Sequence, residues 1–224
     1  MNTRALVADL LDHIDPRAVF TQVDAVLNSE NERRAEFRNW LKPDVKAEFI
    51  LGEVVIHSPA REAHNAVVMD LSSLLHNYCR FKAIGETRVE KALVATKRND
   101  FEPDISVWTK EQAADFNDDT AVYPPPTLVV EVASKSTRDR DYGVKHDDYC
   151  YSGVAEYWIV ETKKREIHQF LLRKDYAGNN LYEKTVIGEL ATIASEAFTG
   201  FSIPVAALFD EAVYTRTLRS ITEG

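Results

Sequence analysis

Apolar residues three and four positions apart (Val67, Val68, Leu71, Leu74, Leu75 and Tyr78) predict a helix over residues 63–81, the clearest in the chain. Ala5, Leu6, Leu10 and Leu11 form one shorter helical face, and Val19, Phe20, Val23, Val26 and Leu27 form another. Asp15-Pro16 separates the two, so residues 4–40 read as helical and peripheral. Strands follow a different pattern. Residues 48–56 read as two short strands around a tight turn at Gly52, 87–96 as one strand, and 103–108 as another. Residues 111–126 lack any period and close on Pro124-Pro125-Pro126, so they read as a loop. The run 128–133 is apolar at every position but one, as in a strand buried on both faces. A helix is expected over 140–152, with Gly153 at its C-cap, then strands at 156–160, 165–172 and 181–187. Residues 201–209 read as an extended piece followed by one helical turn.

Helix, strands, helix and strand, with hairpins appended, describe an α/β domain with a mixed sheet rather than a doubly wound parallel one. The pattern divides the chain into an N-terminal helical extension, residues 1–43, and a main domain, residues 44–224, with Pro43-Asp44 as the hinge.

Composition narrows the picture modestly. The net charge of −9 argues against coating nucleic acid by electrostatics alone, but leaves room for an enzyme whose basic groups are local. Cys79 and Cys150 lack metal-ligand spacing and read as reduced. No secretory leader and no membrane-length apolar run are present, so no membrane association is expected and the cytoplasm is the expected location.

The informative departures are acidic. Glu131 interrupts Leu128-Val129-Val130-Glu131-Val132-Ala133, and Asp104 precedes Ile105-Ser106-Val107-Trp108. A carboxylate in a buried strand is costly unless it is paired or coordinates a cation. Two brought together force one to hold a proton unless a cation joins them. The chemistry this suits is phosphodiester hydrolysis, in which Mg²⁺ takes hard oxygen ligands at roughly 2.0–2.1 Å. Asp104 and Glu131 can supply two such oxygens, and the carbonyl of Val132 a third. A lysine is also needed, to orient water or stabilise charge on the phosphate. Ala133 stands where the simplest arrangement has that lysine, which leaves Lys135 in the following loop and Lys145 on the next helix, one turn before Tyr149. The helix gives Lys145 the more fixed direction, and its replacement by alanine is expected to abolish cleavage while leaving the fold intact.

The ordered series Phe101-Glu102-Pro103-Asp104, Leu128 to Thr137, Asp141 with Lys145 and Tyr149, and Gly153 to Val160 resembles the Uma-type restriction endonucleases of the PD-(D/E)XK nuclease superfamily. The likeness runs from about Glu48 to Phe209 and takes in Ser58-Pro59 with His64. It implies a restriction-endonuclease-like mixed sheet flanked by helices and a Mg²⁺- or Mn²⁺-dependent endonuclease acting on nucleic acid, DNA in the first instance. Asp104 and Glu131 become the metal ligands, Lys145 the displaced catalytic lysine, and Glu53 an auxiliary acid. Lys135 and His64 are further candidates, although His64 also reads as a residue that packs or caps its helix. Two features depart from the family pattern: Lys135 stands in place of the usual proline, and Leu51 in place of a frequent aspartate. Cutting both strands of a duplex with one site per chain calls for a homodimer. The competing reading is a catalytically inactive nuclease-fold binding module, which the acidic net charge and the missing lysine at Ala133 both favour.

Overall fold

In the computed structural model, which describes residues 3–223, two helices open the chain: α1 (Thr3–Leu11) and α2 (Pro16–Trp40). The Asp15-Pro16 pair that separates them is the start signal of the second, because the Asp15 carboxylate accepts from the Ala18 N–H and Pro16 fills the first turn. The first half of α2 leaves Phe20, Val23 and Val26 exposed. Its second half is held to the main domain. Phe37 packs on Phe49, and the guanidinium groups of Arg34 and Arg38 converge on the buried Asp100.

Strands β1 (Ala47–Ile50) and β2 (Glu53–Ile56) form the expected hairpin. Its two-residue turn has positive φ at both Leu51 (50°) and Gly52 (87°), the geometry that suits the twist of a tight hairpin. Helix α3 (Glu62–Lys82) buries the predicted apolar face. The single strand expected over 87–96 is two strands. β3 (Gly85–Val89) and β4 (Leu93–Ala95) lie in different sheets, and the chain turns between them through left-handed Glu90 and Lys91. The next pair makes the same switch in reverse. β5 (Asp100–Phe101) belongs with β4, and β6 (Ile105–Thr109) returns to the sheet of β3. Between them stands Glu102-Pro103-Asp104, where the proline has no N–H to give a ladder.

The expected loop at 111–126 folds back. Phe116 and Tyr123 pack on the buried Trp108, and β7 (Val122–Tyr123) pairs with β4. β8 (Leu128–Val132) then enters the centre of the larger sheet. The helix expected over 140–152 is present but stepped: α4 (Arg138–Arg140), a wide π-helical turn at Asp141–Lys145, and α5 (His146–Ser152), closed by Gly153 at φ 84°. β9 (Glu156–Glu161), β10 (Glu166–Lys174) and β11 (Asn180–Gly188) follow as an antiparallel meander. β12 (Thr192–Ala194) pairs with β13 (Ser202–Pro204), after which come a 3₁₀ turn (Val205–Leu208) and α6 (Glu211–Glu223). Helix α6 was not anticipated from the sequence, although Val213, Tyr214, Leu218 and Ile221 mark its packed face.

The larger sheet has the order β11-β10-β9-β8-β6-β3 and is antiparallel except for β8 beside β9; the smaller has the order β2-β1-β5-β4-β7. This is the mixed sheet flanked by helices that the element order implies. Alternation along β8 sends Leu128, Val130 and Val132 into the core under α3, and Val129 into the core that contains Tyr149 of α5. Glu131 shares the parity of Val129, so it faces the stepped helix.

Candidate active site

Two strands set the acids. Asp104 immediately precedes β6, Glu131 lies near the end of β8, and the register pairs Ile105 with Val130. Asp104 is 4% exposed and accepts a 2.8 Å hydrogen bond through Oδ2 from the N–H of Val132, the residue next to Glu131. Its other oxygen faces Lys46 Nζ at 2.9 Å and His64 Nε2 at 3.4 Å. Burial alone would raise the Asp104 pKa, but His64, Lys46 and the Val132 amide hold it well below the usual carboxylate range.

Glu131 is placed differently. Its Oε1 accepts from Lys145 Nζ at 2.8 Å and from the Tyr149 hydroxyl at 3.2 Å. Burial pushes its pKa well above the ordinary value; Asp104, Asp141 and Glu48 add to the rise, and Lys145 opposes it. Lys145 reaches Glu131 because the wide π turn ends on it. It also lies 2.8 Å from Glu48 Oε1 and 3.9 Å from Asp141, and is only 2% exposed. Burial works against its charge, yet the three carboxylates raise its pKa well above that of an ordinary lysine. Glu48 and Glu131 share this ammonium, but Glu48 has a second partner in His57, 2.8 Å away. Against full burial, Lys145 and His57 hold Glu48 at about 2, whereas burial and the neighbouring acids leave Glu131 raised despite Lys145.

His64 adds a directional feature. Its Nδ1 stands 3.1 Å from the Val132 carbonyl, which can only accept, so Nδ1 carries a proton. A neutral His64 therefore presents the lone pair of Nε2 toward Asp104; a charged one donates to it. The Val132 carbonyl, expected as a metal ligand, thus already takes one hydrogen bond and keeps its other lone pair.

The remaining expectations separate. Lys135 is exposed in the loop after β8, with no contact to the acids. Glu53 is exposed on β2 and makes no ion pair among the described residues. The hairpin turns Glu48, not Glu53, inward toward Lys145. The criterion that singles out Glu131, an acid inside an apolar strand, also fits Ala47-Glu48-Phe49-Ile50. Lys46 and Glu90 were missed as well. Glu90 sits where the chain passes from one sheet to the other and Lys46 immediately precedes β1, and Lys46 Nζ lies 3.3 Å from Glu90 Oε1.

These residues suit a divalent cation. Glu48, Glu102, Asp104, Glu131 and Asp141 are all buried, and the lysines that face them are Lys46, Lys91 and Lys145. Burial, reinforced by neighbouring acids, also raises Glu102 and Asp141 above their ordinary values. Such an excess of negative charge is what a bound cation relieves. The donors are hard oxygens with one imidazole, and ligand atoms of His64, Glu90 and Asp104 all lie within 4.8 Å of one another.

Comparison with known proteins bears on both the fold and the family. The family model described as "Uma2: Putative restriction endonuclease" matches residues 34–206, starting within α2 rather than at the hinge. A crystal structure from Anabaena variabilis ATCC 29413, described as "a putative nuclease belonging to DUF820", shares the fold. Its TM-score is 0.66 at 14% identity, over 78% of this chain and 96% of that one. No curated protein matches the chain. No helix among the described residues is long and apolar enough to cross a membrane.

Proposed function

The chain belongs to the Uma2 family, and from that premise we propose that it is a divalent-cation-dependent endonuclease that hydrolyses phosphodiester bonds in DNA. The observation that carries this reading is the hydrogen bond from the Val132 N–H to Asp104, which holds the ends of β6 and β8 together and sets Glu131 beside Asp104. Asp104, Glu131 and the Val132 carbonyl would hold the ion, Mg²⁺ or Mn²⁺. When bound, it supplies Lewis-acid neutralisation of the phosphate and a more acidic water. The chain's own residues do the rest. Lys145 and Tyr149 fix the Glu131 carboxylate by hydrogen bonds, and Lys145 keeps a positive charge beneath it. His64 fixes the Val132 carbonyl.

The test is incubation of supercoiled, linear and single-stranded DNA with the full chain in Mg²⁺ or Mn²⁺. Cleavage that EDTA abolishes is the expected result, and no cleavage of any form would sink the enzymatic reading. The competing reading, a binding module without turnover, draws support from the enclosure of Lys145 between Glu131 and Glu48. It requires that millimolar Mn²⁺ leave the protein unchanged.

We further infer a homodimer. The first half of α2, in the N-terminal extension of residues 1–43, exposes Phe20 (63%), Val23 (50%) and Val26 (56%) at helical spacing, and α1 adds Leu6 and Leu11. Two copies paired through these faces would cover them and supply two active sites for a duplex. Sedimentation should show a species of twice 25.4 kDa that Val23→Glu/Val26→Glu converts to monomer; a wild-type monomer at micromolar concentration would refute it. Both cysteines are free and buried, as suits a reducing compartment, and we place the protein in the cytoplasm.

A further inference from the structure

Three lysines compete for the role of substrate contact, and their surroundings differ. Lys145 is enclosed, and Glu131 and Glu48 occupy its ammonium. Lys135 stands in the loop after β8, away from the acids. Lys46 precedes β1, where its carbonyl is fixed by the His57 N–H at 2.9 Å, and its side chain is 21% exposed with the ammonium against Asp104 Oδ1. Of the three, Lys46 alone touches a proposed metal ligand from the solvent side.

Asp104 makes the consequence specific. Val132 N–H takes one lone pair of Oδ2, whereas Oδ1 faces Lys46 Nζ at 2.9 Å and His64 Nε2 at 3.4 Å, so a cation that binds Oδ1 meets Lys46. A divalent ion binds carboxylate oxygen at roughly 2.0–2.1 Å. A dication that close to an ammonium in a largely buried site is repelled by it, so Lys46 opposes the ion at this oxygen. Glu90, 3.3 Å from Lys46 Nζ and 39% exposed, marks the open side toward which the ammonium can turn.

Building on the nuclease reading, we propose that Lys46 is a second lysine of the active site, one that neutralises Asp104 in the free protein and passes to a DNA phosphate when a divalent cation takes the Asp104 oxygen. Charge is conserved across the exchange: the carboxylate trades an ammonium for the ion, and the ammonium trades a carboxylate for a phosphate. Lys46 therefore lowers cation affinity in the free protein and raises affinity for DNA in the cation-loaded one.

The test uses the full chain and two readouts other than turnover. Mn²⁺ binding is titrated for wild type, Lys46→Met, Lys46→Arg and Asp104→Asn. Binding to a short duplex is then measured in Ca²⁺ over a range of salt. Lys46→Met should bind Mn²⁺ at least tenfold more tightly than wild type, and its slope of log affinity against log salt should fall by about 0.9, the loss of one phosphate contact. Lys46→Arg, which keeps the charge, should restore the salt slope. If wild type binds Mn²⁺ through Asp104 but Lys46→Met binds it no more tightly, the role of Lys46 is overturned and the nuclease reading stands. An unchanged salt slope in Lys46→Met also overturns it. If neither protein binds Mn²⁺, the cation-dependent reading falls and this inference with it. Should Lys46→Met fail to fold, Lys46→Gln, which keeps a polar tip for Glu90, carries the same expectations.

Discussion

On the nuclease reading, Asp104→Asn is expected to abolish Mn²⁺ binding and to lower DNA cleavage by more than about a hundredfold, beyond the loss typical of an outer-sphere partner of a metal. The amide oxygen of asparagine can still accept from the Val132 N–H, so the junction of β6 and β8 keeps its shape. What disappears is the negative charge at Oδ1, where Lys46 and His64 converge. Lys46 keeps Glu90 as a partner and is not stranded. The urea midpoint should therefore stay close to wild type while the Mn²⁺ titration goes flat. An Asp104→Asn protein that binds Mn²⁺ like the wild type would remove Asp104 from the cation site. A large fall in the urea midpoint would mean instead that Asp104 serves the fold.

Much of this arrangement can be read from the chain because it rests on local parity. Glu131 interrupts an apolar strand, and its neighbours Val130 and Val132 enter one core while Val129 enters the other, so the direction of Glu131 follows from counting along β8. The helix carrying Lys145 is legible from the face it shares with Tyr149, and its end from Gly153. What parity cannot reveal is a chain that leaves one sheet for another. The stretch 87–96 looks like one strand because the sequence has no glycine or proline where it turns; the turn is made by Glu90 and Lys91 in left-handed conformation, which neither residue type announces. That crossover and the one at Glu102-Pro103-Asp104 lie side by side, with the Glu90 N–H donating to the Asp104 carbonyl at 3.3 Å. Glu90 thus reaches the site through two long-range events, and Lys46 reaches it only because β1 joins β5. The attachment of α2 was hidden for a similar reason. Arg34 and Arg38 lie in a charged stretch that reads as solvated until the Asp100 turn folds beneath it.

Lys145→Ala is expected to lower stability by about 3–5 kcal/mol, the usual cost of removing one partner from a buried ion pair. The ammonium is 2% exposed and stands 2.8 Å from both Glu48 and Glu131, with Asp141 at 3.9 Å. Without it, buried carboxylates face one another with no charge between them, and they respond by taking up protons. Glu48, held at about 2 in the wild type, loses the Lys145 charge and keeps only the His57 contact against the effect of burial. Its folded pKa then rises above the unfolded value of about 4.3. A carboxyl raised in this way contributes stability that is present below the unfolded pKa and lost as pH climbs through the folded one. The deficit of Lys145→Ala relative to wild type should therefore be smaller at pH 5 than at pH 8, as measured by urea unfolding. Adding Glu48→Gln removes one of the stranded charges and should recover part of the loss at pH 8. That double variant is also the better background for asking whether Lys145 serves catalysis, because a loss of cleavage in it is less confounded by unfolding. A Lys145→Ala protein with the wild-type urea midpoint at both pH values would mean that the cluster redistributes its protons at no cost, and that Lys145 is not the counterion on which the site is built.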